Sequence, residues 1–298
     1  MFNIALVTAR AARHLDEDLA PLEDALRAAG AQAQIMDWDD MDADWASFDV
    51  ALLRSAWDYT MRLPEFLAWA QQVSQLTTLW NPLPVIQWNT DKHYLAELAQ
   101  AAVPTVPSYF IEPEEESATG LQRFFSLHPD LAEFVVKPAI GAGSRDSQRY
   151  ARANTEPATG HAQRLLDARR AVLLQPYLDR VDAQGETGLI YLEGEFSHAI
   201  RKGPLLRRGE EPTRALFAQE HITPRMPELD ELAVATQTLA AIPFETPLYA
   251  RVDLIRDTRG APRVLELELT EPSMFFMQSP GAAQRFAVAV LNRLKAAA

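Results

Sequence analysis

The chain has 298 residues, of which 48% are hydrophobic and 23% charged, with a formal net charge of −13 and no cysteine. That length buries a core for one large domain or a few lobes, and the negative field disfavours nucleic acid as a partner. Without cysteine there is no disulfide framework, thiolate metal site or cysteine nucleophile.

The apolar run from Met1 to Val7 is too short for a signal-peptide core, and no stretch approaches the roughly 20 apolar residues of a membrane helix. A cytoplasmic protein with no membrane partner is expected, and a homo-oligomer is left open. The first third alternates short apolar runs with helical spacing: Asn3 to Val7, then Leu15, Leu19, Leu22 and Leu26 closed by Gly30, then Gln34 to Met36 and Val50 to Leu53. This βαβ rhythm predicts a small parallel sheet, with ligands at the carboxyl ends of its strands. Arg54, Ser55, Trp57 and Asp58 follow one such strand and are the candidate substrate residues, although Arg54 and Asp58 could equally pair with each other at the surface. The six tryptophans, all between Trp38 and Trp88, read as core or interface.

Two prolines between Asn81 and Pro84 read as a break, with a helix from Asn89 through Leu98 to Ala102. Ser108 to Ile111, Phe134 to Val136 and Val172 to Leu174 read as strands. Glu186 to Leu192 and Glu195 to Ile200 flank Glu193 and Gly194 as an antiparallel hairpin. The irregular, arginine- and proline-rich stretch from Lys202 to Pro227 reads as a loop that could close over a site. A helix from Glu228 to Ala240, strands from Tyr249 to Ile255 and from Val264 to Leu269, and an amphipathic last helix complete the chain. The predicted fold class is therefore α/β at the start and α+β in the C-terminal part.

Two segments carry chemistry. Between Phe134 and Tyr150, Gly141 and Gly143 allow backbone N–H groups to approach an anion, Ser144 and Ser147 add hydroxyls, and Lys137 precedes them on a strand as a point charge for phosphate. A P-loop needs its lysine after the glycines, and a dinucleotide fingerprint needs a glycine where Asp146 stands, so neither applies; a plain hairpin turn remains the alternative. Near the C-terminus, Glu266 and Glu268 share a strand face that Asp253 on the partner strand can join. Three facing carboxylates call for a cation, and magnesium suits an oxygen-only site that also takes phosphates. The alternative is the solvated face of an edge strand, with Leu265, Leu267 and Leu269 toward the core. The histidines form no spaced ligand pair for zinc.

The order of Lys92, a strand-borne lysine before a glycine loop, the segment Leu173 to Asp179, the hairpin from Glu186 to Lys202, and a late aspartate with an acidic pair resembles the ATP-grasp superfamily over essentially the whole chain. Within it the sequence looks closest to the branch of prokaryotic glutathione synthetase, the RimK-type ligases and the cyclo-ligase that closes O-ureido-serine to cycloserine. The segments LRSAWDY, FSHAIRKG and LELELTEPS suggest the last. The resemblance implies a substrate lobe at residues 1–89, a central lobe at 90–176 and a C-terminal lobe at 177–298. It also implies an ATP- and Mg2+-dependent ligase with one or two ions, Mn2+ being an alternative, that joins a small carboxylate to an amine through an acyl-phosphate. A regulatory ATP-binding protein, a carboxylate kinase or a carboxylase of the same fold are the rival readings.

Carried over residue by residue, Lys92 and Lys137 would contact ATP, and Gln175, Tyr177 and Leu178 would clamp adenine. Glu186 would meet the ribose or the adenine pocket. Asp253, Glu266 and Glu268 would hold metal and Arg251 would stabilise the tetrahedral intermediate; on the closing loop Arg201, Lys202, Arg207 and Arg208 could reach phosphate or substrate carboxylate, a solvated basic loop being the alternative for Arg207 and Arg208. The usual last metal ligand in such folds is asparagine, where this chain has Glu268.

Overall fold

The structure, a computed structural model, describes residues 1–209 and 220–297. Chain order runs β1 (Asn3–Thr8), α1 (Leu19–Ala28), β2 (Gln32–Asp37), β3 (Val50–Ser55), α2 (Leu63–Val73), β4 (Thr78–Trp80), α3 (Leu83–Asn89) and α4 (Tyr94–Gln100). It continues through β5 (Tyr109–Ile111), α5 (Ser117–Leu127), β6 (Glu133–Pro138), β7 (Gln148–Ala151), α6 (Glu156–Asp167), β8 (Val172–Pro176) and α7 (Arg180–Gln184). The last part holds β9 (Glu186–Leu192), β10 (Glu195–Lys202), β11 (Ile222–Arg225), α8 (Leu229–Ala240), β12 (Tyr249–Arg256), β13 (Pro262–Glu268) and α9 (Ala282–Ala297).

Three sheets result. The first, in the order β2-β1-β3-β4, is wholly parallel, as the βαβ rhythm predicts. The second, β5-β8-β6-β7, and the third, β11-β10-β9-β12-β13, are antiparallel throughout. The hairpin between β9 and β10 turns on Glu193 and Gly194, both with positive φ, the geometry a two-residue turn needs to match strand twist.

Two local readings differ. The prolines near residue 82 start a helix instead of breaking one, because Pro84 lies in the first turn of α3, where its missing N–H costs nothing. The helix expected from Asn89 begins only at Tyr94, and Lys92 sits in the turn between α3 and α4. In the stretch from Lys202 to Pro227, residues 210–219 lie outside the described residues, and Ile222–Arg225 is not loop but the edge strand β11, paired with β10.

The first sheet is covered on both faces. One face packs with α1 and α9 and with β9, β10 and β12, in a core that includes Leu52, Tyr249 and Phe286; the other packs on α2 around Trp38, Trp45 and Phe66. Polar side chains pin this lobe to the third sheet. Asn81 Nδ2 donates to the carbonyls of Tyr249 and Leu269, Asn89 Nδ2 donates to Leu267, and the Tyr249 hydroxyl lies within 3.2 Å of the carbonyls of Leu53, Trp80 and Thr270. No helix among the described residues is long and apolar enough to cross a membrane.

Candidate active site

A cleft with about 1340 Å³ of free space, its open mouth included, lies between the second and third sheets and reaches the first lobe at Trp57. The loop from β6 to β7 forms one wall. Gly143, Ser144 and Asp146 all take positive φ, and such left-handed residues turn successive N–H groups into an anion-binding nest. The Asp146 carboxylate is held by Arg170 at 2.6 Å, which fixes the loop from behind. Gly141, Gly143 and Ser144 all line the cleft.

Four buried cations converge there, and the half-buried Arg145 also lines the cleft. Lys137 projects from β6 and burial pulls its ammonium down to about 8, only partly offset by Glu266. Among the described residues it has no ion pair. Lys92 bonds the Gly141 carbonyl at 2.6 Å and Glu266 at 2.9 Å. Lys202, at the end of β10, reaches Glu186 at 2.6 Å and Asp253 at 2.7 Å. Arg251 on β12 binds Asp253 at 2.9 Å and also Glu268.

The β12–β13 register sets Asp253 opposite Glu266 and Arg251 opposite Glu268, so the alternation read from the sequence does gather these residues on one face. Two details differ from that reading. A bulge inserts Leu265 between the pairs Asp253–Glu266 and Leu254–Val264, and Leu265, which the edge-strand alternative put toward the core, lines the cleft; bulges re-aim side chains in this way. Asp253 does not line the cleft. It is 1% exposed, lies under Arg251 and Lys202, and rests against Gly188, where a Cβ would come within 2.9 Å of its Oδ1. Burial alone would push its carboxyl up, but the two cations overcome this and hold it well below the carboxylate range.

Glu266 and Glu268 face the cleft. Burial pushes Glu268 up to about 7 against the pull of Arg251, with Asp253 and Glu266 adding to the rise. Glu271, which sequence reasoning missed, also lines the cleft and is pushed up to about 8 by burial and then by Glu268. Its signal was available in the same acidic run, but it lies past the strand, where alternation no longer assigns a face.

Among the described residues no group of three His, Asp or Glu is already gathered around one metal point. The donor set nonetheless fits magnesium: Glu266 and Glu268 offer the cleft carboxylate oxygens only, and a divalent cation would favour the charged form of Glu268 that burial disfavours. Asp253 fits less well as a ligand, because a metal there would have to displace Arg251 or Lys202.

The opposite wall is apolar, with Val135, Pro176, Leu178, Val181 and Ile255. Gln175, Tyr177 and Glu186 line the same end. Gln175 Nε2 donates to Ser108 Oγ at 3.0 Å, and the Arg149 guanidinium stacks 3.5 Å from the centre of the Tyr177 ring.

Of the substrate candidates, only Trp57 reaches the cleft. Ser55 Oγ bonds Thr8 Oγ1 at 2.7 Å, and Asp58 accepts from Trp38 Nε1 at 2.8 Å and pairs with Arg62. Arg54 is 0% exposed. Its guanidinium lies 5.5 and 5.6 Å from the rings of Tyr249 and Phe286, and it donates to the Pro272 carbonyl at 2.7 Å. It therefore neither pairs with Asp58 nor opens to the cleft, but bolts the first lobe to the segment after β13. Arg54→Ala is expected to cost about 3–5 kcal/mol of stability by leaving a cavity and unpaired polar groups. Denaturant unfolding checks this, and an unchanged midpoint with a selective rise in one substrate KM would restore Arg54 to the substrate site.

Residues 4–81 match the family model described as D-cycloserine synthetase DcsG, N-terminal domain. Over 297 residues the chain is 40% identical to the cycloserine biosynthesis protein DcsG of Streptomyces lavendulae, covering 98% of this chain and 99% of that one. The crystal structure of D-cycloserine synthetase DcsG superposes with a TM-score of 0.91 at 40% identity, covering 98% of this chain and 99% of that chain. D-alanine–D-alanine ligase from Bacillus anthracis gives a TM-score of 0.69 at 13% identity, covering 99% and 97%. The ATP-grasp ligase PsnB gives 0.64 at 17%, covering 98% and 99%. These last two bear on the fold alone.

Proposed function

The chain belongs to the family of the D-cycloserine synthetase DcsG, and we propose that it is an ATP- and magnesium-dependent ligase that closes O-ureido-serine, or a close amino-acid relative, to a ring through an acyl-phosphate. The observation that carries the reading is the convergence of Lys92, Lys137, Lys202 and Arg251 on one cleft that also presents Glu266 and Glu268. Cations for phosphate and carboxylates for metal gathered in one cleft suit phosphoryl transfer, in which the protein supplies position and charge and little covalent chemistry.

In this reading the apolar wall from Val135 to Ile255 takes the adenine, with backbone groups near Gln175, Tyr177 and Leu178 reading its edge and Glu186 at the ribose. The nest at Gly141, Gly143 and Ser144 and the ammonium groups of Lys92 and Lys137 grip the phosphates. Glu266 and Glu268 would hold magnesium, one ion or two, and the ion when bound would offset charge on the phosphates; manganese would suit the same oxygen donors. The substrate carboxylate attacks the γ-phosphorus in line and ADP leaves. Arg251, fixed by Asp253 and Glu268, then faces the oxyanion that forms when the oxygen-bound ureido nitrogen attacks the acyl carbon; phosphate leaves as the ring closes, and water takes the carbamoyl group off the ring nitrogen as carbamate to give cycloserine. The first lobe, residues 1–89, contributes Trp57 to the substrate end, while lobes 90–176 and 177–298 enclose the nucleotide.

Purified protein with ATP should release ADP only when both a divalent cation and O-ureido-serine, or another member of an amino-acid panel, are present, with cycloserine formed from the former. ATP binding without ADP release across the whole panel would make the chain a nucleotide-binding regulator and sink the ligase reading.

A further inference from the structure

We infer that Glu271 receives the α-ammonium of the amino-acid substrate, so that the cleft selects an α-amino acid over its amino-free counterpart; this deepens the ligase reading above and rests on it. Glu271 lies three residues beyond β13, past the face that carries Glu266 and Glu268. It is 8% exposed and lines the cleft. Two aromatic residues of the first lobe fix it. Trp57 Nε1 donates to its backbone carbonyl at 3.0 Å, and the Tyr59 hydroxyl donates to its carboxylate. The carboxylate thus sits at the seam where the first lobe meets the nucleotide cleft.

Three of the other four carboxylates that line the cleft are already matched with cations. Glu186 has Lys202, Glu266 has Lys92 and Glu268 has Arg251. Among the described residues Glu271 has no cation within ion-pair reach, and its one side-chain donor is a neutral phenol. A carboxyl removed from water holds its charge only beside a positive partner, and a ligand ammonium would supply the one the described residues do not. Trp57, which holds the Glu271 carbonyl, also lines the cleft, and an aromatic ring beside a carboxylate suits a primary ammonium. Ring closure through the ureido nitrogen leaves the α-ammonium a spectator, charged on entry and on exit. It therefore needs a fixed counter-charge that takes no part in phosphoryl transfer.

Calorimetry on the chain loaded with ADP and magnesium tests this with two probes, O-ureido-serine and the same molecule lacking the amino group. The wild type is expected to bind the first on the order of 30-fold more tightly, the scale of a buried charge pair broken by removing one partner. Glu271→Gln, which keeps an acceptor for Tyr59, should erase that preference while leaving the amino-free probe and the magnesium requirement for ADP unchanged. Equal affinities in the wild type, or equal weakening of both probes in the variant, would overturn the proposal. So would a raised magnesium requirement, which would make Glu271 a metal ligand instead. Preserved discrimination without turnover would sink the ligase reading and leave this one standing; binding of neither probe would sink both.

Discussion

Replacing Asp253 by asparagine is expected to lower the stability of the folded chain by about 3–5 kcal/mol and to reduce ATP turnover by roughly a hundredfold or more. The stability loss follows from what surrounds the carboxylate. Arg251 Nη2 and Lys202 Nζ both contact Oδ2, at 2.9 and 2.7 Å, in a site that is 1% exposed. The asparagine amide offers one acceptor oxygen and no charge, so two buried cations are left with only Glu186 and Glu268 to balance them. The turnover loss follows because Arg251 and Lys202 would no longer be held toward the cleft.

The pH dependence has a definite sign. Arg251 and Lys202 hold the Asp253 carboxyl below its unfolded value, so its contribution is fully present above the unfolded pKa of about 3.9 and is lost as pH falls toward the folded value. Urea titrations of wild type and Asp253→Asn should therefore differ widely at pH 7 and converge as the solution is made strongly acidic. If Asp253 were a metal ligand and nothing more, the variant would be as stable as the wild type without metal. Its defect would then appear only as a raised magnesium requirement.

This distinction was out of reach of the sequence. Period-two alternation correctly placed Arg251, Asp253, Glu266 and Glu268 on one face, because the register of an antiparallel pair fixes faces whatever lies above them. What lies above them is set by β9 and β10, which bring Lys202 over Asp253 across a gap that Gly188 leaves open. That is a contact 51 residues away in sequence, and no local pattern encodes it. The same limit explains Arg54. The strand before it was legible, but both faces of β3 are buried. Arg54 shares the parity of Val50 and Leu52, which pack toward Tyr249 and Phe286. An arginine at the end of a parallel strand was read as facing a ligand, when its parity already assigned it to the face that another lobe covers. The glycine loop and Lys137 were legible because their chemistry is local: one strand, one turn and one residue whose charge has nowhere else to go.

Lys137→Ala should lower ATP turnover by about a hundredfold or more while leaving stability unchanged or slightly raised, the opposite stability sign from Asp253→Asn. The reason is that Lys137 alone of the four buried cleft cations has no carboxylate partner among the described residues, whereas Lys92, Lys202 and Arg251 each have at least one. Its side chain is 9% exposed and burial has drawn its ammonium down to about 8. The folded protein therefore holds this charge at a cost, and alanine relieves that cost. A nucleotide phosphate supplies the missing partner. Binding then raises the lysine pKa, so wild-type affinity for a non-hydrolysable ATP analogue should fall as pH rises from 7 to 9, with protons taken up on binding. Glu268 and Glu271 titrate nearby and add repulsion over the same range, so the informative quantity is the difference between wild type and Lys137→Ala. Calorimetry at pH 7 and pH 9 measures it: the affinity lost to the substitution should be large at pH 7 and clearly smaller at pH 9. A loss of equal size at both values, or none at either, would remove Lys137 from the phosphate site and with it the strongest reason for placing ATP in this cleft.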